Sequence, residues 1–198
     1  VAGKRFIVMD NVYNEFFNKF KAKLMEFEAG DPVDPATKLG PLSSEGALKL
    51  LLNQVQKAIK GGAKVELGGR QIDRPGFYME PTILTNIDKN NPAYREELFG
   101  PVACIFKVKT EEEAIALAND TPFGLGASIF TKDTNRGRKI ADQIDSGMVF
   151  INHPTWTSPD LPFGGTKRSG YGRELSELGI YEFVNKKLIR TSLLEDPF

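Results

Sequence analysis

The sequence predicts an α/β fold, with a mostly parallel sheet flanked by helices. Short apolar runs alternate along the chain with segments in which apolar residues recur every three or four positions. Such alternation is typical of β-α-β units, in which helices cover both faces of a parallel sheet. The chain has 198 residues, 40% of them hydrophobic, which is enough for one sizeable core and makes a single domain the default expectation.

The first strand is predicted from Arg5 to Met9, a short apolar run. A helix should follow, because apolar side chains repeat at helical spacing after Asp10, which we expect to be its N-cap. Gly30 is expected to end this helix. The repeating side chains are Val12, Phe16, Phe17, Phe20, Leu24 and Phe27.

A second helix is expected to end at the Gly61-Gly62 pair, since glycine is favoured just past helix C-termini. Residues 63–67 are then predicted to form a strand. The apolar face of this helix is marked by Leu48, Leu51, Leu52, Val55 and Ile59.

The alternation continues with a strand predicted from Val102 to Val108. Thr110 is expected to cap the next helix, and Glu113 three residues later completes a capping-box pattern. The remaining predictions are a strand near residues 125–130, a helix at about 134–143 and a strand at 148–152.

Two long segments interrupt this pattern. Residues 30–41 contain Pro32, Pro35 and Pro41 and are too rich in proline to be regular. Residues 153–172 form a second long connection, rich in proline and glycine. Long structured loops in compact domains often carry function, so these segments are candidates for a binding site.

Composition excludes several classes of partner. The 26 basic and 26 acidic side chains give no net charge that would attract nucleic acid or anionic lipid. A small, roughly neutral ligand or another protein is therefore the expected partner. No apolar run approaches the ~20 residues that span a bilayer, and the first residues lack the pattern of a signal peptide. We therefore expect a cytoplasmic protein.

The single cysteine, Cys104, has no intrachain disulfide partner, and one histidine without clustered thiols argues against a structural metal site. Its neighbours form an apolar run that predicts a buried strand. A buried thiol has a raised pKa and is inert, so Cys104 is predicted to be structural and not a nucleophile.

Glu97 and Phe99 lie at the edge of the strand predicted from Val102. A carboxylate at such a position can accept two hydrogen bonds from a vicinal diol such as a ribose, and a nearby aromatic ring can pack against a flat ring. The alternative is that Glu96 and Glu97 are two solvated surface charges.

Phe163 stands between Pro162 and two glycines, which suits either a ligand-contacting ring or a plug over the core. Glu174 could be a first-turn carboxylate favoured by a helix dipole. Thr157 and Ser158 could donate hydrogen bonds to a carboxylate at the far end of a small substrate, although hydroxyls are also common in loops. His153 has no catalytic partner in the sequence and is expected to be structural or specific to its loop.

Three segments together resemble the aldehyde dehydrogenase superfamily. They are VAGKR at residues 1–5, EELFGPV at 96–102 and LPFGGTKRSGYGREL at 161–175. The likeness extends from Ala2 to about Leu188 and is strongest to the succinate-semialdehyde dehydrogenase-like branch. It implies that the chain is the C-terminal part of a catalytic domain, beginning just after the nucleophilic cysteine.

The resemblance also implies roles for individual residues. Glu97 would bind the nicotinamide ribose, and Phe99 would border the nicotinamide. Phe163 would line the substrate tunnel, a hydroxyl of Thr157 or Ser158 would hold a substrate carboxylate, and the residue at Glu174 would take part in a proton relay. The remaining implied roles lie upstream of Val1: the Rossmann-type domain that binds NAD or NADP, the general base, the oxyanion-hole asparagine and the nucleophile.

In such enzymes the cysteine attacks an aldehyde, a hydride passes to the nicotinamide, and water hydrolyses the resulting thioester to an acid. Succinate semialdehyde is the substrate implied by the branch, and the isolated chain is expected to be inactive. Residues 1–182 would be the catalytic-domain portion. Residues 183–198 would be a strand and tail through which the enzyme forms a homo-oligomer.

Two alternatives remain open. A non-catalytic interaction domain on the same scaffold would need no nucleophile, and a cysteine encoded upstream of Val1 would argue against it. A phosphate-dependent acylating dehydrogenase of the same superfamily would share the sheet but lack the signatures at Glu97 and Phe163.

Overall fold

The computed structural model describes residues 2–195. The chain divides into two compact units, Val1–Pro122 and Phe123–Phe198, where composition alone led us to expect one domain. The boundary between residues 182 and 183 stays a prediction. Among the described residues, no helix has the length and apolar character that crossing a membrane requires.

Unit 1 is built on a four-stranded sheet with the order β1-β4-β3-β2. Strand β4 pairs in parallel with β1 and β3, whereas β2 pairs with β3 in the antiparallel sense. The strands are β1 (Arg5–Met9), β2 (Lys64–Leu67), β3 (Thr82–Thr85) and β4 (Val102–Val108). The prediction of a mostly parallel sheet is thus confirmed for unit 1, although β3 was not predicted.

The helices of unit 1 are α1 (Asp10–Met25), α2 (Glu45–Lys60), α3 (Pro92–Arg95) and α4 (Glu111–Asn119). Two predicted boundaries of α1 were wrong. Met9 is the N-cap, and Asp10 forms an ion pair with Lys107 instead of capping the helix. The helix ends at Met25, because the chain turns away before Gly30, whose N–H donates to the Leu39 carbonyl at 3.1 Å.

The capping of α4 follows the predicted pattern in part. The Thr110 hydroxyl accepts from the Glu113 N–H at 3.2 Å, as expected of an N-cap. The Glu113 carboxylate, however, accepts from the N–H of Lys109 at 2.7 Å and not from that of the cap residue. The reciprocal bond is therefore shifted by one residue.

Helices cover both faces of the sheet in unit 1, as predicted. The side chains of β4 alternate between the faces: Cys104 and Phe106 pack with the core beneath α2 and α3, while Ile105 packs with the aromatic face of α1. In β3, Leu84 likewise packs with the core beneath α2 and α3, and Ile83 packs with α1. This burial on both sides explains why β4 is a continuous apolar run.

Unit 2 holds two small sheets in place of a continuation of one large sheet. The β-α-β unit predicted between residues 125 and 152 is present, and its two strands pair in parallel to form one sheet. The other sheet is an antiparallel pair of strands. The elements are β5 (Phe123–Gly124), β6 (Gly126–Ile129), α5 (Thr134–Ala141), β7 (Met148–Ile151), β8 (Thr166–Lys167) and α6 (Ser176–Ile180).

Residues 183–189, which were expected to form an oligomerisation strand, have no regular secondary structure in the single chain. Their apolar side chains are open to solvent, with Phe183 85% and Leu188 90% exposed. The oligomerisation strand therefore stays a prediction, which applies to the homo-oligomer and not to the single chain.

Candidate functional site

The first group of predicted site residues lies in the loop that leads into β4. Leu98 is only 3% exposed and anchors the loop in the core, whereas Phe99 on one side of it is 75% exposed. Glu97, on the other side, is also exposed. Burial of Leu98 thus leaves both of its neighbours facing outward.

Two side chains from distant parts of unit 1 hold this loop. Gln54 of α2 donates to the carbonyl of Glu97 at 3.2 Å and to the carboxylate of Glu96 at 3.0 Å. The Lys4 ammonium donates to the carbonyl of Gly100 at 2.9 Å. The backbone on both sides of Phe99 is therefore fixed by hydrogen bonds as well as by packing.

Gly100 is required here by packing. A Cβ atom at this position would lie 2.2 Å from Cδ2 of Leu51 and 3.1 Å from Cδ2 of Leu42. Leu51 is only 1% exposed, so its side chain has little room to move. Glycine thus allows the loop to approach α2 closely.

Sequence reasoning missed Lys4 as part of this site. Its ammonium lies 5.5 Å from the centroid of the Phe99 ring, within range of a cation–π interaction. Burial lowers the pKa of Lys4, and the nearby charge of Glu97 opposes that shift. The only sequence signal was its place in the VAGKR segment, next to the predicted strand.

The arrangement of Glu97 and Phe99 offers the two kinds of group that a nucleotide site needs. An exposed carboxylate two residues from an exposed aromatic ring offers an acceptor for a ribose diol beside a flat surface for a ring. Both groups stand on a loop fixed by Gln54 and Lys4, so little order would have to be gained on binding.

Cys104 is confirmed as a buried thiol. It lies in β4, is 3% exposed, and burial raises its pKa to about 12. At neutral pH the thiol is therefore protonated and shielded, which removes it as a nucleophile.

The second group of predicted residues lies in unit 2, where Phe163 and Glu174 form a two-way backbone bridge. The Phe163 N–H donates to the Glu174 carbonyl at 2.8 Å, and the Glu174 N–H returns a bond of 2.7 Å. Arg173, which sequence reasoning missed, donates to the carbonyl of Gly165 at 2.9 Å. The bridge leaves the Phe163 ring half-buried and the Glu174 carboxylate exposed.

The predicted substrate hydroxyls have different surroundings. Thr157 is exposed, whereas the half-buried Ser158 donates a hydrogen bond to the carboxylate of Asp160. This bond holds the pKa of Asp160 below its usual value. Asp160, not singled out from the sequence, thus competes for one of the two hydroxyls and places a negative charge beside them.

His153 belongs to the same loop. Its Nδ1 lies 2.7 Å from the Pro154 carbonyl, and its ring meets Trp156 edge to face with 6.3 Å between centroids. The ring also lies 6.1 Å from that of Phe150 in β7, so these contacts agree with a structural role for His153.

The candidate residues thus form two groups, one in each unit. Glu97 and Phe99 share one loop of unit 1, while Phe163 and Glu174 are paired in unit 2, in the same unit as the Thr157-Ser158 loop. Within residues 2–195 there is no cluster of three His, Cys, Asp or Glu side chains that could hold a metal ion.

Comparison with known proteins gives consistent results. The model of the aldehyde dehydrogenase family matches residues 1–189. The NADP-dependent succinate-semialdehyde dehydrogenase of Deinococcus radiodurans is 50% identical over 190 residues, covering 96% of this chain and 40% of that protein.

Solved structures agree with the sequence comparison. Succinic semialdehyde dehydrogenase from Streptococcus pyogenes, in complex with NADP+, matches with a TM-score of 0.92 and 47% identity, covering 95% of this chain and 41% of that one. Betaine aldehyde dehydrogenase from Staphylococcus aureus, in complex with NAD+, matches with a TM-score of 0.88 and 33% identity over 92% of this chain and 37% of that one. The chain spans about two fifths of the length of the curated relatives it matches.

Proposed function

We propose, on the premise that the chain belongs to the aldehyde dehydrogenase family, that it is the C-terminal part of the catalytic domain of an NAD- or NADP-dependent enzyme. The full-length enzyme would oxidise succinate semialdehyde to succinate. The observation that carries this proposal is the 50% identity, across 96% of the chain, to an NADP-dependent succinate-semialdehyde dehydrogenase.

In this proposal, Glu97 and Phe99 hold the nicotinamide end of the cofactor. NAD or NADP, when bound, accepts a hydride from the substrate. The Glu97 carboxylate accepts hydrogen bonds from the ribose hydroxyls, and the exposed Phe99 ring packs beside the nicotinamide. Anchoring by Leu98 supports these roles, because a fixed loop keeps the ring in one orientation.

The residues of unit 2 would act on the substrate. Phe163 lines the path of the aldehyde, and the hydroxyls of Thr157 and Ser158 donate hydrogen bonds to the distal carboxylate. Glu174 would exchange a proton with water as part of a relay, and its exposure supports this role.

The assembly and location of the protein follow from the same proposal. Residues 1–182 would be catalytic-domain structure, and residues 183–198 would include a strand that pairs with another copy of the protein to form a homo-oligomer. The exposed Phe183 and Leu188 support this, since apolar side chains this open are stabilised by a partner. We propose a cytoplasmic enzyme, of which the isolated chain is inactive.

The test is turnover by the full-length protein. Purified enzyme should form reduced NADP or NAD with succinate semialdehyde, with a higher kcat/KM than with an uncharged aldehyde of equal length. Absence of turnover with any aldehyde, in a folded full-length protein, would favour the interaction-domain alternative. Turnover that requires coenzyme A or phosphate would favour an acylating dehydrogenase.

A further inference from the structure

Lys4 joins two parts of unit 1 that are far apart in sequence. Its backbone leads directly into β1, and its ammonium donates to the Gly100 carbonyl at 2.9 Å, 96 residues along the chain. The same ammonium lies 5.5 Å from the centroid of the Phe99 ring. One side chain thus contacts both the backbone and the aromatic ring of the candidate cofactor loop.

The contact costs Lys4 part of its hydration, because the residue is half-buried. A desolvated ammonium gains most from a partner that is fixed, and Gly100 is fixed by the close approach of Leu51. The Gly100 carbonyl also accepts from the N–H of Val102 at 2.8 Å, so it is the point where the loop joins β4. Displacement of this carbonyl would therefore displace Phe99.

We propose that Lys4 is a positioning residue for the nicotinamide-binding loop. The Lys4 ammonium ties the start of β1 to Gly100 and thereby fixes the positions from which Glu97 and Phe99 face the cofactor. The inference rests on the proposed function, because it assigns Lys4 to the same cofactor site. Lys4 itself need not touch the cofactor.

Lys107 provides a matched control in the same unit. Its ammonium lies 5.3 Å from the Tyr13 ring centroid and pairs with Asp10, so it also combines a cation–π contact with a polar partner. It projects from β4 opposite Val8, outside the loop of residues 97–100. Lys107→Met therefore removes the same kinds of contact away from the proposed site.

The experiment compares Lys4→Met, Lys4→Arg and Lys107→Met in the full-length enzyme. We expect Lys4→Met to slow single-turnover hydride transfer by about tenfold and to raise the KM for the nicotinamide cofactor, with the aldehyde KM little changed. Lys4→Arg should stay within about threefold of the wild type, because a guanidinium can donate to Gly100 and stack on Phe99. Lys107→Met should behave as the wild type.

Amide hydrogen exchange gives a readout that does not depend on catalysis. Lys4→Met should speed exchange at the amides of Gly100 and Val102, while Lys107→Met should not. If Lys4→Met is too unstable to assay, a comparison of Lys4→Gln with Lys4→Arg tests whether the positive charge at this position matters. Equal hydride-transfer rates in those two variants would overturn the inference. Equal rates and equal exchange in Lys4→Met and Lys107→Met would also overturn it.

Glu97→Gln separates this failure from failure of the proposed function. If Glu97→Gln slows hydride transfer and Lys4→Met does not, the cofactor site stands and the role of Lys4 is wrong. If neither variant affects hydride transfer, the proposed cofactor site itself is wrong.

Discussion

The two units hold their candidate residues in different ways. In unit 1 the loop of Glu97 and Phe99 is fixed by contacts from far away in sequence, through Gln54, Lys4 and the buried Leu98. In unit 2 the contacts are local: Ser158 bonds to Asp160, and Phe163 to Glu174. Long-range anchoring makes a site part of the core, whereas local bonding leaves a loop that can change without unfolding its unit.

This comparison predicts that substitutions at the unit 1 site affect stability or cofactor binding, whereas those in the unit 2 loop affect substrate choice. The predictions below test that distinction in order of expected size. All of them concern the full-length enzyme.

Gly100→Ala should have the largest effect. Its Cβ would lie 2.2 Å from Cδ2 of the buried Leu51, and overpacking of this kind costs about 1–3 kcal/mol or more. Denaturant unfolding should report this loss. Gly46→Ala is the matched control, because its Cβ would meet only the Ser44 hydroxyl at 3.8 Å and should be neutral or slightly stabilising. Equal stability of the two variants would contradict the long-range anchoring of this loop.

Glu97→Gln should reduce hydride transfer by about 1–3 kcal/mol of activation free energy, the scale of a charge-assisted hydrogen bond. Because Glu97 is exposed, its replacement should leave the unfolding free energy unchanged. Single-turnover formation of the reduced cofactor is the measurement. An unchanged hydride-transfer rate would count against the assignment of Glu97.

Replacing both loop hydroxyls, with Thr157→Val and Ser158→Ala, should narrow the preference for succinate semialdehyde over an uncharged aldehyde of equal length. Loss of one or two hydrogen bonds to a carboxylate should reduce the ratio of kcat/KM values by roughly tenfold to a hundredfold. An unaltered ratio would place selectivity outside this loop.

Asp160→Asn should change the same substrate preference in the opposite direction. It removes a negative charge and leaves an amide oxygen that is a weaker acceptor for the Ser158 hydroxyl, so the preference for the carboxylate substrate should rise by about threefold. A fall in that preference would mean that Asp160 orients the hydroxyls and does not compete for them.

Cys104→Ser should have the smallest effect on catalysis: the chemical step should stay intact, at a cost of about 1 kcal/mol of stability, because the thiol is buried and protonated. The native thiol should resist iodoacetamide.

The thiol also predicts a pH dependence. Its pKa is raised in the folded state from 9.0 to about 12, so the thiolate favours unfolding. Wild-type protein should lose stability relative to Cys104→Ser as the pH rises from about 9 toward 12. Parallel stability curves across that range would contradict burial of the thiol.

Most regular elements could be predicted from the sequence because their signals are local. The periodic apolar face of α2 and the Gly61 stop both lie within one short segment. Strand β3 escaped prediction because only two apolar residues, Ile83 and Leu84, stand between Thr82 and Thr85, although all four side chains are buried. The end of α1 was misplaced because the chain turns at Glu26 and Phe27, before it reaches Gly30.

The motifs around Glu97 and Phe163 could be read from the sequence because their glycine, proline and aromatic spacing is local and specific. The sequence by itself thus determined the family resemblance, the α/β class and the inert nature of Cys104. Only the tertiary structure brought Lys4 to Gly100 and Gln54 to Glu97. Both pairs join residues far apart in sequence, whose meeting depends on how the whole sheet and its helices pack.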